Sequence, residues 1–447
     1  MNFSLFLFFL LGIQAVCLYI GRGKGSHMKD RESYFLAGRS LRTFSLTMTF
    51  IATQIGGGVL LGTAEEASHY GVRVIFYPLG VALGLILLGM GPGKKLASGS
   101  LTTVVAIFEV IYGSKTLRKT AFILSAFSLF FILTAQTIAL DTLFSMFSYG
   151  KLLTLVFWAA LACYTSIGGF HGVVRTDIVQ AAFLLIAVVC CGIAVWYHAP
   201  QTLEIIQKPA LLSSAKLLSW IFMPMLFMIV EQDMVQRCVA ASSPKHLQRS
   251  AITAGLVLLL FNFIPLFLGS LGGRMGIAGD CPLIDTVAYF CGPSLAALMA
   301  AAIGIAILST ADSLISAVAQ LIVEELPSLQ TAYYRYLVLG LAAAAPIVAV
   351  GFTNIVDVLI LSYSLSVCCL SVPIGIVLLT SYRASKIAAW AAVLVGGISY
   401  LLMRVLPMGG CGELCAWLSS LVSFCCVECF HVYSKKRLKN LFQEERD

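Results

Sequence analysis

Residues 306–316 read Ala306-Ile307-Leu308-Ser309-Thr310-Ala311-Asp312-Ser313-Leu314-Ile315-Ser316, inside an apolar run that covers 284–321. Ser309, Asp312, Ser313 and Ser316 stand at i, i+3, i+4 and i+7, which is one face of a helix. Ala302, Ala306 and Gln320 extend that face. Small residues admit a close neighbouring backbone. Hydroxyls and a carboxylate supply oxygens, the atoms that hard cations take as ligands. An ionisable group at membrane depth marks a functional site. The competing reading has each serine bonded back to its own helix. Four oxygen-bearing residues on one stripe, one of them an aspartate, favour a cation-facing surface.

The whole chain carries the same membrane signature. Of its 447 residues, 59% are hydrophobic and 11% charged, with a mean hydropathy of +0.94. A soluble domain has about 25% charged residues, so a water-soluble enzyme, a disordered chain and a nucleic-acid binder are all excluded. Apolar runs long enough to cross a ~30 Å hydrocarbon core recur from end to end, and the short alternating segments of a membrane barrel are absent. The fold class is an all-α polytopic membrane protein with about thirteen helices, expected at 3–20, 43–66, 72–92, 119–147, 152–168, 176–198, 213–231, 250–273, 284–321, 333–351, 355–380, 385–406 and 413–433. The stretch 96–116 is less apolar and reads as a re-entrant or surface helix. The first run lacks a basic leader and a clear cleavage site, so it reads as a retained helix.

The basic residues give the orientation. With the N-terminus outside, 23 of the 29 Lys and Arg fall on the inner side and 6 (Arg73, Lys151, Lys208, Lys216, Arg274 and Arg404) on the outer side. That bias is the positive-inside signal. It accounts for the net charge of +8 as topology. The expected location is the inner (plasma) membrane, with the tail from Lys435 in the cytoplasm, where it can touch anionic lipid. The loops between spans are short and leave no room for a soluble module. The 14 cysteines sit mostly in apolar runs. A disulfide between Cys281 and Cys291, or between Cys411 and Cys415, is an open alternative to free thiols.

Two spans carry interruptions. Gly56-Gly57-Gly58 lies in the middle of the second, and glycine costs about 1 kcal/mol relative to alanine in a helix. Freed backbone groups survive in a bilayer only beside a cavity or protein. A close helix crossing through small residues is the alternative. Pro224 stands mid-way in the seventh span, five helices on. Interrupted helices at matching places in two halves point to a transporter's midplane site. Five is odd, so spans two to six and seven to eleven would form an inverted repeat. The organisation expected is an extra helix and loop at 1–42, repeats at 43–212 and 213–382, and two further helices with a basic tail at 383–447. Gln54, Gln136, Asp141, Asp177, Asn262 and Asp357 are further polar groups at or near membrane depth. Glu231, Gln232 and Asp233 mark the inner end of span seven.

Four elements resemble the sodium:solute symporter family. They are Ser33-Tyr34-Phe35-Leu36-Ala37-Gly38-Arg39; Tyr164-Thr165-Ser166-Ile167-Gly168-Gly169-Phe170 with Val174, Arg175, Thr176, Asp177 and Gln180; Gln236-Arg237-Cys238-Val239-Ala240-Ala241; and Ser309-Thr310-Ala311-Asp312-Ser313. Their order matches the family across most of the chain. The resemblance implies a leucine-transporter-like core of ten helices, with one helix before it and two after. It also implies secondary active transport driven by sodium. The family's shared sodium site maps onto Ala52 and Ile55 of the broken span, through carbonyls, and onto Ala306, Ser309 and Thr310. Some members hold a second cation; its counterparts here are Asp177, Ser309, Asp312 and Ser313, with Asp312 and Ser313 standing where hydroxyl residues usually stand. Proline-type members carry an aspartate where Gln54 stands, which argues against that ligand scheme.

The resulting expectation is a Na+-coupled symporter that imports a small polar solute by alternating access, and not an enzyme. Gln54, Gly56, Gly57, Gln136, Phe227 and Tyr363 are expected to line the substrate cavity. Proton coupling on the same scaffold and a non-transporting nutrient sensor are the rivals. The six histidines are scattered, which argues against an intramembrane enzyme. Arg175 and Arg237 are placed at the inner interface, so no intramembrane arginine clamps a carboxylate. That favours amino acids, sugars or similar neutral solutes. The sequence leaves the oligomeric state open.

Overall fold

The computed structural model describes residues 2–21, 30–99, 101–199, 209–277, 281–330, 333–352, 355–380, 382–405 and 412–444, with side chains described except at 355–361, 404 and 436–444. In chain order the helices are α1 (Phe3–Gly21), α2 (Arg31–Leu36), α3 (Thr43–Gln54), α4 (Thr63–Tyr70), α5 (Phe76–Met90), α6 (Pro92–Ser98), α7 (Ile107–Val110), α8 (Lys115–Ser145), α9 (Gly150–His198), α10 (Ser214–Val230), α11 (Gln232–Ala240), α12 (Pro244–Arg274), α13 (Pro282–Cys291), α14 (Pro293–Glu325), α15 (Tyr334–Ala349), α16 (Ile355–Leu379), α17 (Lys386–Val405) and α18 (Gly412–Glu444). Among the described residues there is one isolated β-bridge, Leu41 with Ala241, and no strand.

The expected segments fall on helices. By length and apolarity alone, nine helical stretches among the described residues can cross a membrane, or ten if the bent pair α10–α11 is one span, against the thirteen expected. Part of the difference is α9. There the expected spans five and six are two helices that follow one another without a loop within Gly150–His198. The chain bends at Gly169, whose φ of 52° and ψ of −162° lie outside the helical region. A positive φ of this kind is open to glycine at little cost. The stretch 96–116 forms only short helical pieces, and Thr103 to Phe108 are buried.

Helix α14 is the axis of the bundle. Every residue from Met299 to Leu321 is buried, so α14 is surrounded on all sides and its polar stripe faces other helices. Helices α8 and α9 pack along it, with α1, α3 and α11 on its other sides. Helices α5 and α12 support the broken elements: α10 lies on α5, and α12 on α3, α4 and α5. Helices α17 and α18 pair mainly with each other and reach the rest through α16.

The second interruption lies elsewhere than expected. Helix α10 runs through Pro224 without a break. The chain bends by 50° between α10 and α11, at Glu231, whose backbone is extended (φ −72°, ψ 122°). A membrane helix tolerates one lost proline N–H when its surroundings are satisfied. The bend sits instead where three polar residues, Glu231, Gln232 and Asp233, enter the interior. All three are buried, so they do not mark an inner end at the interface. The expectation at Asp141 also changes, because that side chain is exposed and accepts from Thr154 Oγ1 at 3.2 Å. Asn262 is buried but donates to Leu258 of its own helix, a packing role. The Asp357 side chain and Cys411 lie outside the described residues. Cys281, Cys291 and Cys415 are free thiols.

Candidate functional site

Helix α3 stops at Gln54, and Ile55 leaves the helical region (φ −89°, ψ 71°). The helix resumes through a wider π-type turn over Gly58–Gly62, a form that recurs at functional sites. The last carbonyls of α3 have no next turn to accept from. Helix α14 supplies the missing donors. Ser309 Oγ donates to Ala52 O at 3.1 Å and to Ala306 O at 3.0 Å, while Thr310 Oγ1 donates to Thr53 O at 3.1 Å. The two backbones meet closely here: a Cβ added at Gly56 would lie 2.6 Å from Thr310 Oγ1. Gly57 N donates to Gln136 Oε1 of α8 at 3.2 Å. Ala52, Ile55, Ala306, Ser309 and Thr310 are thus buried around one break. All of the oxygens they offer are neutral. A small hard cation accepts such a set, and the hydroxyl hydrogens can turn away from it.

One helical turn further along α14 lies a buried ionic cluster. Arg237 of α11 is 0% exposed, as is Asp177 of α9. Arg237 Nη2 reaches Asp177 Oδ2 at 3.4 Å and donates to Ser313 Oγ at 2.7 Å. Its Nε donates to Thr49 Oγ1 at 3.0 Å and its Nη1 to Asp233 O at 2.9 Å. Thr49 Oγ1 in turn donates to Asp177. Asp312 accepts from Tyr164 OH at 2.7 Å, and Ser313 Oγ lies 3.4 Å from Asp312 Oδ1. The structure therefore brings Asp177, Asp312 and Ser313 into one network with Thr53, whose Oγ1 is 3.2 Å from Ser313 Oγ. Ser309 bonds into the neighbouring carbonyl site instead. The cation within this network is the Arg237 guanidinium. Its expected place at the inner interface is wrong: α11 continues past the bend and carries it into the bundle, where Phe170 also packs on it at 5.6 Å.

Two of the sequence elements that suggested a family are joined by this architecture. Gln236 Nε2 donates to Phe35 O at 2.8 Å, and Leu41 exchanges backbone bonds with residues 240 and 242. The segment before α3 is thereby locked onto α11. The buried stretch after α6 closes over the same end: Val104 N donates to Gln232 Oε1 at 2.8 Å, and Gln320 Nε2 to Thr102 O at 2.9 Å.

Between the two breaks lies a cavity of about 90 Å³. Gln54, Gly56, Gln136, Phe227 and Tyr363 line it, together with Thr310. Gly57 stands just behind, through its bond to Gln136. The Phe227 and Tyr363 rings lie 5.8 Å apart. Sequence reasoning missed Tyr77, Glu231 and Asp233, which also face this space. Glu231 Oε2 and Asp233 Oδ1 are buried and have no hydrogen-bond partner in the protein. The available signal was the polar triplet itself, had it been read as a break rather than a terminus.

The profile of the Sodium:solute symporter family matches residues 34–332. The High affinity choline transporter 1 of Homo sapiens is 26% identical over 344 residues, 69% of this chain and 58% of that protein. The Sodium/pantothenate symporter of Haemophilus influenzae is 25% identical over 291 residues, 60% of this chain and 59% of that protein. The chain thus spans under two thirds of the length of the curated relatives it matches. A solved Na+-coupled sialic acid symporter superposes with a TM-score of 0.74 at 16% identity, covering 94% of this chain and 96% of that one. A nucleobase-cation-symport-1 family transporter gives 0.65 at 18% identity, covering 88% and 94%. These likenesses establish the leucine-transporter-like fold.

Proposed function

Since this chain belongs to the sodium:solute symporter family, we propose that it imports a small organic cation, driven by sodium, through alternating access around the cavity between the two helix breaks. The observation that carries the substrate class is the pair of unpartnered carboxylate oxygens, Glu231 Oε2 and Asp233 Oδ1, in a cavity walled by Tyr77, Phe227 and Tyr363. A buried acid is stabilised either by taking up a proton or by a positive partner, and a cationic ligand in the cavity supplies the second. Aromatic faces attract quaternary ammonium groups that cannot hydrogen-bond. The similarity to choline transporters agrees with this chemistry. A neutral amino acid or sugar, the expectation from sequence, would leave both acids uncompensated.

In this reading Ala52, Ile55, Ala306, Ser309 and Thr310 hold sodium, which ties α3 to α14. Sodium supplies the driving force together with the membrane potential, ~2.3 kcal/mol per charge per 100 mV. The second cation position, at Asp177, Ser309, Asp312 and Ser313, is taken in this conformation by the Arg237 guanidinium. A sodium ion enters there only when Arg237 withdraws. Residues 43–212 and 213–382 act as the two inverted repeats. No step of the cycle makes or breaks a covalent bond.

The test is a thermal-shift screen of the purified protein with choline, tetramethylammonium, glucose, proline and pantothenate, each with sodium or with potassium. A ligand of the folded state raises stability by mass action. Choline and tetramethylammonium are expected to raise the Tm, and more so with sodium. Ser309→Ala and Thr310→Ala should each require several-fold more sodium for the same shift while inserting normally. A response to proline or glucose alone would reject the cation reading. Unchanged sodium dependence in both variants would reject the ion site.

The basic-residue bias supports an external N-terminus and a cytoplasmic tail in the plasma membrane. Reporter fusions at residues 2 and 440 are expected to report opposite sides. The same side for both would refute this topology.

A further inference from the structure

Around the two helix breaks the charges do not balance. Four buried carboxyls stand there, Asp177, Glu231, Asp233 and Asp312, against one buried guanidinium, Arg237. That guanidinium is committed: its nitrogens bond Asp177, Thr49, Ser313 and the Asp233 backbone carbonyl. It makes no hydrogen bond to either carboxylate of the Glu231–Asp233 pair. The carboxyls of that pair lie within interaction range of each other. Among the described residues, the Arg237 guanidinium acts on both acids through space, and Tyr77 of α5 and Tyr363 of α16 line the same cavity. Asp177 and Asp312 lie beyond Arg237. One sodium ion and one monovalent organic cation together still leave this region short of a positive charge. With the cavity empty, the shortfall is larger. Two buried carboxylates that share a site repel, and without a cation between them one is held protonated.

We propose that the Glu231–Asp233 pair is a proton-binding site, which holds a proton while the cavity lacks substrate and gives it up when the organic cation binds. The inference rests on the cationic-substrate reading above. The step is a plain ionisation. The acid O–H bond breaks, the proton passes to cavity water, and the new carboxylate faces the positive charge of the substrate. On the outer side the proton leaves as substrate arrives. On the inner side the pair takes a proton from the cytoplasm after substrate departs and carries it back. Each cycle then moves one proton outward for each organic cation brought in, alongside the inward sodium. The empty carrier returns with its acid pair half-neutralised, so the carboxylates need not cross the membrane bare.

The full chain, reconstituted in proteoliposomes with a trapped pH dye, tests this without any variant. Potassium and valinomycin clamp the potential, and an inward sodium gradient drives labelled choline. The expected result is a lumen that turns alkaline in step with choline entry, one proton leaving per choline entering, with no change when choline is omitted. Choline entry at constant lumenal pH overturns the proposal. If no choline enters, the substrate reading has failed, and infrared spectroscopy of the substrate-free protein decides the proton separately. A carboxylic-acid carbonyl band is expected in wild type and is expected to weaken in the double variant Glu231→Gln/Asp233→Asn. An identical band in both overturns the proton site whatever the substrate.

Discussion

Arg237→Met is expected to destabilise the protein by about 3–5 kcal/mol, the cost of leaving a buried charge uncompensated, and to abolish uptake. The guanidinium holds four partners on α3, α9, α11 and α14. Its loss strands Asp177, whose Oδ1 already lacks a partner. Methionine keeps much of the volume against Phe170, so packing changes little and the charge term dominates. The second substitution Asp177→Asn should then restore much of the stability, because the uncompensated charge disappears with it. Thermal unfolding of the single and double variants measures this. A double variant no more stable than Arg237→Met would show that the pair is not what the arginine serves. Lysine is expected to rescue poorly, since one ammonium cannot reproduce a planar fork bonding in several directions.

Gly56→Ala is expected to eliminate sodium-dependent transport while the protein still reaches the membrane. The added methyl would stand 2.6 Å from Thr310 Oγ1 and 3.1 Å from Thr310 Cβ. Neither position is the free end of a long side chain, so α3 and α14 must separate. Overpacking of this kind costs about 1–3 kcal/mol, little enough for folding to survive. The carbonyl-and-hydroxyl site does not survive, because its oxygens come from both sides of the contact. Adding Thr310→Ala removes the shortest clash. It should recover thermal stability without recovering sodium affinity. Sodium-dependent uptake at wild-type levels in Gly56→Ala would contradict the placement of the ion between these helices.

The sequence made the polar stripe of α14 legible because helical spacing alone puts Ser309, Asp312 and Ser313 on one face. The break at Gly56 was legible because three adjacent glycines weaken an apolar helix, although a close helix crossing was the alternative reading. The second break was misplaced at Pro224. Proline advertises a lost hydrogen bond, but whether the helix opens depends on neighbours that a single chain does not display. Here the opening follows the buried acids, and Glu231 and Asp233 looked like a terminus only because polar triplets usually end membrane helices. Arg237 was misread for the same reason. A span ending at residue 231 puts it in the interface, whereas a bent span continuing to Ala240 carries it inward to Asp177. The neutral solute expected from the sequence rested on the lack of an intramembrane arginine clamp, and that same boundary left the two acids out of the cavity. With the acids counted as interfacial the cavity lining reads as neutral, and with them inside it holds the two carboxyls on which the cationic-substrate proposal rests.

The most direct test of the account is labelled choline uptake into proteoliposomes carrying the full chain, with an inward sodium gradient or with potassium in its place. Accumulation above the external concentration with sodium, collapsed by a sodium ionophore and blocked by excess tetramethylammonium but not by glucose or proline, is the predicted result. Equal uptake with potassium, or accumulation of a neutral solute in place of choline, would contradict it.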